Sequence, residues 1–397
     1  MQNTNTTRVI PGLHFTSEHF PVSSTFALFL ELAAFGKSSI PPNLDWGDQV
    51  TEKMHGPGAS LAEFRQIVRD AANRAFNTPI GRDLTMRAYN LFGDLLVGNP
   101  RTLANLQTKR RHIFVVSAPR HGGSYLTKEL HRATGIDPSQ VPNYIAHDGF
   151  PDCSPNWYTS RDGQDVPATR TTIQQTAEWL VMADYFFREQ LQRPVDGLPT
   201  LVKKATKMVY MGNFFRETFG PLAEWVVIVR HPVPACVSLY EKAGGLPEDG
   251  LFPARPRSVI ERWVFEAWER DGVPRTQVAK KPYFTAYLHY WVSYHQALAT
   301  GGLLRPNGQR LTLLPYDPEQ IEDYVRGQLR RFGVAADLEP EHFHTSDKAW
   351  ERHPDWVREA EETVRKVEKT LEHIGVQATI PRQQNENRPG IYISKKT

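Results

Sequence analysis

Two short segments of the chain carry residue types suited to gripping anions. The first reads Ala118-Pro119-Arg120-His121-Gly122-Gly123-Ser124-Tyr125, between a β-branched run and a predicted helix. Glycines let backbone N–H groups close around an oxyanion, and the helix N-terminus adds positive potential. Ser124 brings a hydroxyl donor, and Arg120 a permanent charge that binds oxyanions through paired N–H bonds. The second reads Arg230-His231-Pro232-Val233-Pro234-Ala235-Cys236-Val237-Ser238 and follows Trp225 to Val229. Pro234 suits the first turn of a helix and places Ser238 one turn further on, so Arg230 and Ser238 can converge on one phosphate.

Neither segment is a Walker A loop. No G-x-x-x-x-G-K-[ST] is present, and the nearby Lys128 lies beyond Ser124, so the Mg-nucleotide handle of an ATP-driven kinase is missing. The 14 histidines show no H-E-x-x-H or similar spacing, and no metal site is expected. Cys153 and Cys236 form neither a disulfide framework nor a C-x-x-C knuckle, which fits a reducing, cytoplasmic setting.

The elements that must position these residues read as strands alternating with helices. Ile113 to Ser117, Thr200 to Val202 extending towards Ala205, Trp225 to Val229 and Arg310 to Leu314 suit buried strands. Helical stretches between them predict an α/β domain, a central parallel sheet flanked by helices with ligands at the carboxyl ends of the strands. Phe284 to Ala299 predicts an aromatic-rich helix, and Asp355 to Ile374 an amphipathic one. Residues 243–257, rich in glycine and proline, predict a loop. Before the first strand lies a helical N-terminal extension, residues 1–109, whose best helix runs from Ser60 to Phe76 behind an S-x-x-E capping box. Residues 110–397 form the second unit.

Length and composition set the frame. The 397 residues, 40% hydrophobic and 23% charged, are those of a folded globular chain rather than a disordered or fibrous one. A net charge of +3 is too small for a nucleic-acid coat. Phe26 to Phe35 is interrupted by Glu31 and falls well short of the roughly 20 residues of a membrane span, so it predicts a buried helix and no membrane partner.

Taken together and in this order, the two anion segments resemble those of PAPS-dependent sulfotransferases. Pro119 to Ser124 is similar to that family's 5′-phosphosulfate loop, P-[KR]-S-G-T-[TS], and Arg230 to Ser238 to its R-[DNH]-P motif with a serine eight residues after the arginine. Tyr290-Trp291, then Leu314-Pro315-Tyr316-Asp317-Pro318, then Phe332-Gly333-Val334 follow the family's order, and Arg388-Pro389-Gly390 is similar to a late basic-glycine motif. The resemblance spans residues 110 to 375 and implies the P-loop-like sulfotransferase fold, with PAPS as donor and PAP as product. It implies a 5′-phosphate on Arg120, His121, Gly122, Gly123, Ser124 and Tyr125, and a 3′-phosphate on Arg230 and Ser238, with Tyr316 in the same site. Arg120, and Lys204 from a neighbouring strand end, would support the leaving phosphate.

The chain departs from that pattern in two places. His121 and Gly123 stand where the family has serine and threonine, removing two side-chain donors. The segment Lys203-Lys204-Ala205-Thr206-Lys207 lacks the catalytic histidine that cytosolic members carry there. For the base, His147 is preferred because its neutral form exists near neutral pH, with Asp148 and His121 as competitors. The acceptor implied is a hydroxyl of a small molecule, natural product or carbohydrate. The alternatives are another nucleotide-dependent transferase on a similar scaffold, and an inactive nucleotide-binding relative.

Overall fold

A computed structural model describes residues 18–40, 59–147, 150–151, 153, 169–190, 199–304, 310–333, 338–343, 349–376 and 379–382. Its longer elements, in chain order, begin with α1 Ser24–Phe35, α2 Ala59–Phe76, α3 Pro79–Val97 and α4 Pro100–Lys109. There follow β1 Arg111–Ser117, α5 Gly123–Ala133, α6 Thr169–Tyr185, β2 Thr200–Lys204, α7 Gly212–Phe219 and β3 Glu224–Val229. The chain continues with α8 Pro232–Lys242, α9 Val259–Arg270, α10 Tyr283–Thr300, β4 Arg310–Pro315, α11 Pro318–Phe332 and α12 Pro354–His373.

The four strands form one parallel sheet in the order β2-β1-β3-β4. Side chains alternate across a strand, and here each face finds its own core. Ile113 and Val115 of β1 and Val226 and Ile228 of β3 face one way, onto Leu126 and Leu130 of α5 and Val325 and Leu329 of α11. Phe114 and Val116, with Trp225 and Val227, face the other way into a larger aromatic core. There Phe114 stacks on Trp225 with ring centroids 4.6 Å apart and meets Phe219 of α7 at 4.8 Å. Helices on both faces of a parallel sheet are the architecture expected, and the strands follow the predicted positions with one or two residues added at their ends.

The strand order has one consequence for function. From β1 the chain crosses to β2 on one side, and β3 and β4 lie on the other, so the direction of winding reverses between β1 and β3. Loops leaving adjacent strands at such a point part company and open a crevice at the carboxyl ends. Ser117 and Ile228 are register partners at the ends of β1 and β3, which brings residues 118–122 and 230–231 to the same edge.

The N-terminal helices pack onto the larger core. Phe26, Phe29, Phe76 and Leu84 belong to the same buried cluster as Trp179 and Phe186. Two buried acids tie this region down. Glu31 accepts from Arg74, from the Ser38 and Ser39 hydroxyls and from the Ser39 N–H. Glu178 of α6 accepts from Ser23 through both its N–H and its hydroxyl, the latter at 2.5 Å, while Ser23 caps α1 by accepting from the Phe26 N–H. The predicted capping box at Ser60 and Glu63 falls on residues whose side chains lie outside the described ones, as does the Arg388-Pro389-Gly390 segment.

Candidate active site

The first turn is built by backbone geometry. Arg120 and Gly122 both take left-handed backbone angles, φ 67° and 83°, and Gly122 is the N-cap of α5. No side chain caps that helix. The N–H groups of its first turn therefore lack the oxygen that a serine or aspartate cap would supply, and the helix dipole makes this end of α5 positive. A Cβ on Gly123 would lie 2.1 Å from the Ser117 Oγ and 3.3 Å from the Lys204 Cε, so a side chain there would have to push the buried Ser117 hydroxyl aside. A Cβ on Gly122 would meet Phe343 at 2.9 Å and Tyr316 at 3.3 Å, so an aromatic lid sits over the turn. Lys204, buried at the end of β2, thus reaches the loop.

The second turn works differently. His231 caps α8 by accepting from the Val233 N–H, and Pro232 and Pro234 have no N–H to give. The donors this turn presents are therefore mainly side chains. Arg230 is 5% exposed, its guanidinium lies 3.9 Å from the centroid of the Tyr316 ring, and its Nη1 donates to the Arg120 carbonyl at 2.6 Å. Among the described residues no carboxylate pairs with it, and its Nε has no hydrogen-bond partner. Its pKa is drawn down, by burial first and by the neighbouring Arg120, against an opposing upward pull from Tyr316 and Tyr287. Tyr287 of α10 is fully buried in the field of both Arg230 and Arg120, and its hydroxyl likewise has no partner among the described residues.

Arg120 joins the two turns, because its Nε donates to the Ser238 Oγ at 2.9 Å. The expected separation, Arg120 with Ser124 and Arg230 with Ser238, is therefore looser than the spacing suggested. The side chains of Arg120, Arg230 and Ser238 gather at one place, and the first turn offers mainly backbone N–H groups, the exposed Ser124 hydroxyl and Lys204. Tyr125 joins the aromatic cluster over the first turn: its hydroxyl donates to the Glu341 carbonyl and its ring packs on Phe343, which also meets Tyr316.

His121 also turns away from the crevice. Its ring is fully buried, and Nδ1 accepts the Arg230 N–H at 3.2 Å, with the Ile228 carbonyl 3.4 Å from the same atom. Burial first, then the neighbouring His295 and Arg230, hold its pKa well below the usual imidazole range. The ring is thus packed beneath Arg230 rather than directed at the Ser124 side of the turn. What the loop offers at this position is the backbone.

His147 lies beside the first turn. Its Nε2 lies 3.4 Å from the Ser124 Oγ, and the residue is exposed. The preceding turn Asn143–Ala146 is fixed from beneath: the Lys203 ammonium, 2% exposed, donates to the His147 carbonyl at 2.9 Å and lies 5.2 Å from the Trp179 ring centroid. The Trp179 Nε1 donates to the Ile145 carbonyl at 3.0 Å. Lys203 and Lys204 are neighbours on one strand and point to opposite faces, so one anchors the His147 segment and the other reaches the first turn. Asp148 lies outside the described residues. No group of histidines, cysteines and carboxylates that could hold a metal occurs among the described residues, and no described helix is long and apolar enough to cross a membrane.

No family model matches the chain, and no curated protein does. Among solved structures, a sulfotransferase from Alicyclobacillus acidocaldarius superposes with a TM-score of 0.36 and 15% identity, covering 68% of this chain and 97% of that one. The sulfotransferase domain from the curacin biosynthetic pathway superposes with a TM-score of 0.29 and 11% identity, covering 69% of this chain and 100% of that domain.

Proposed function

We propose that the chain is a sulfotransferase that takes a sulfuryl group from PAPS and passes it to a hydroxyl of a small-molecule, natural-product or carbohydrate acceptor. The observation that carries this reading is Arg230, a buried guanidinium at the winding reversal with no carboxylate partner among the described residues. A buried charge is costly unless it is paired. An anion is the partner this one lacks, and an uncapped helix N-terminus sits on the adjacent strand end. Two anion receptors side by side suit a nucleotide with phosphates on both its 3′ and 5′ positions, which is what PAPS and PAP carry.

In this reading Arg230, Ser238 and Arg120 hold the 3′-phosphate. The N–H groups at the start of α5, with Ser124 and Lys204, hold the 5′ side and stabilise the charge that develops on the leaving phosphate oxygen. Tyr316, stacked on Arg230, limits solvent at the cation. PAPS supplies the activated sulfuryl group, and sulfuryl transfer needs in-line positioning and cationic support more than a metal. His147 takes the acceptor proton at Nε2, and Lys203 keeps its backbone in place. The division into residues 1–109 and 110–397 and a cytoplasmic setting belong to the same proposal.

A second reading, a nucleotide-binding protein without turnover, is favoured by the inward ring of His121, which deprives the loop of a side-chain donor. Calorimetric titration with PAP and with Mg-ATP, followed by turnover of PAPS against a broad acceptor panel, separates the readings. PAP binding with turnover supports the sulfotransferase, and PAP binding without turnover supports the inactive relative. Tight Mg-ATP binding with no PAP binding would sink both.

A further inference from the structure

Hydrogen bonds run between the turn that follows β1 and the turn that follows β3. The Arg230 N–H donates to the His121 Nδ1 at 3.2 Å, and its carbonyl accepts from the Trp291 Nε1 at 3.0 Å. In the other direction the Arg230 Nη1 donates to the Arg120 carbonyl at 2.6 Å, and the Arg120 Nε donates to Ser238 at 2.9 Å. Arg230 is thus gripped on both sides of its backbone, and the grip on its N–H comes from the turn that leaves the neighbouring strand. His121 is fully buried among β3 and α10, 5.8 Å from the His295 ring. With the Arg230 N–H donating to Nδ1, the neutral ring carries its proton on Nε2, which has no partner among the described residues; a proton on Nδ1 would instead go to the Ile228 carbonyl, 3.4 Å away. His295 uses its Nδ1 on the Trp291 carbonyl at 2.7 Å and thereby braces the helix that carries Trp291.

We infer that His121 is a positioning residue that locks the Arg230 turn to the α5 turn, so that the two anion receptors act as one rigid site for a ligand bearing two phosphates. The inference rests on the proposed donor site for its ligand, and on the hydrogen bonds alone for its mechanism. Without the acceptor at Nδ1 the buried Arg230 N–H is left unsatisfied, and the turn rearranges to find water or another partner. The guanidinium moves with it. The site can then still hold a single phosphate at the α5 N-terminus, but it loses its preference for a ligand with a second one.

The test compares His121→Phe, which keeps an aromatic ring but has no acceptor, with His121→Asn, whose amide oxygen can stand near the Nδ1 position. Thermal melting establishes that each is folded. In the ligand-free protein, imidazole ¹⁵N spectra should show His121 as the neutral Nε2–H tautomer, unchanged between pH 5 and 8. A His121 that titrates in that window, or that carries its proton on Nδ1, overturns the lock whatever the ligand proves to be. With ligand, the ratio of PAP affinity to adenosine 5′-phosphate affinity should fall roughly tenfold or more in His121→Phe and stay within about threefold of wild type in His121→Asn. Equal loss of affinity for both ligands in His121→Phe marks a merely structural role and contradicts the inference. Absence of PAP binding to the wild-type protein defeats the proposed function, and the ¹⁵N result still decides the lock.

Discussion

Replacing Arg230 with alanine removes the group on which the donor site depends. The guanidinium is buried, and its charge has no counterion among the described residues, so a phosphate placed against it forms a charge-assisted, desolvated pair. Truncating one partner of such a pair costs about 2–5 kcal/mol, or roughly thirtyfold to several thousandfold in affinity. The second turn has few backbone donors to compensate, since Pro232 and Pro234 lack N–H groups and the Val233 N–H is taken by His231. The assay is calorimetric titration of PAP and of adenosine 5′-phosphate into wild-type and Arg230→Ala protein. PAP affinity should fall by the stated range while adenosine 5′-phosphate affinity changes little, because the loss belongs to the 3′-phosphate. Arg230→Lys should recover only part of it, since a lysine cannot supply the fork of donors. A folded Arg230→Ala protein that binds PAP within about threefold of wild type refutes the assignment.

Three further predictions follow from the site and from the helical extension. His147→Ala should lower kcat by about 10² or more with PAP affinity nearly unchanged, because a base acts in the transition state, and single-turnover kinetics check it. Incubation with EDTA should leave turnover intact, since Arg120, Arg230, Lys204 and backbone donors provide the positive field; loss of activity restored by one cation would point back to a metal-dependent transferase. Burial pushes Glu178 up to about 7 from an ordinary 4.5, against the opposing bonds from Ser23 and Gln174. A raised carboxyl pKa favours the folded state below the unfolded value, and that stability is lost as pH rises towards 7, by up to about 3 kcal/mol. Glu178→Gln should therefore gain thermal stability over wild type progressively between pH 5 and 8, and a difference that does not grow with pH speaks against it.

The sheet was legible because its strands are short, β-branched and bounded by turn residues. IFVVS and WVVIV admit few other readings once each is followed by a glycine- or proline-bearing turn. The aromatic helix around Tyr290-Trp291 was legible as an element, and its place in the core explains its composition: Tyr287, Tyr290, Trp291 and Tyr294 are all buried. Spacing could not convey direction within a turn. Arg120 and His121 are adjacent in sequence, yet one side chain reaches across the crevice to Ser238 while the other is buried beneath Arg230. That divergence comes from the positive φ at Arg120, which nothing in the residue type announces. Lys203 was equally hidden. Strand alternation separates it from Lys204, but only the packed position of Trp179 and of the Asn143–Ala146 turn shows that it anchors His147. The departure of His121 from the expected serine was the visible sign that this loop is built differently.

The most direct test of the donor site is a crystal structure of the protein with PAP. The 3′-phosphate should lie in hydrogen-bonding contact with the Arg230 guanidinium and the Ser238 hydroxyl, and the 5′-phosphate on the N–H groups that open α5 beside Ser124. PAP bound elsewhere, or a crevice at the ends of β1 and β3 that stays empty at saturating PAP, would contradict the account.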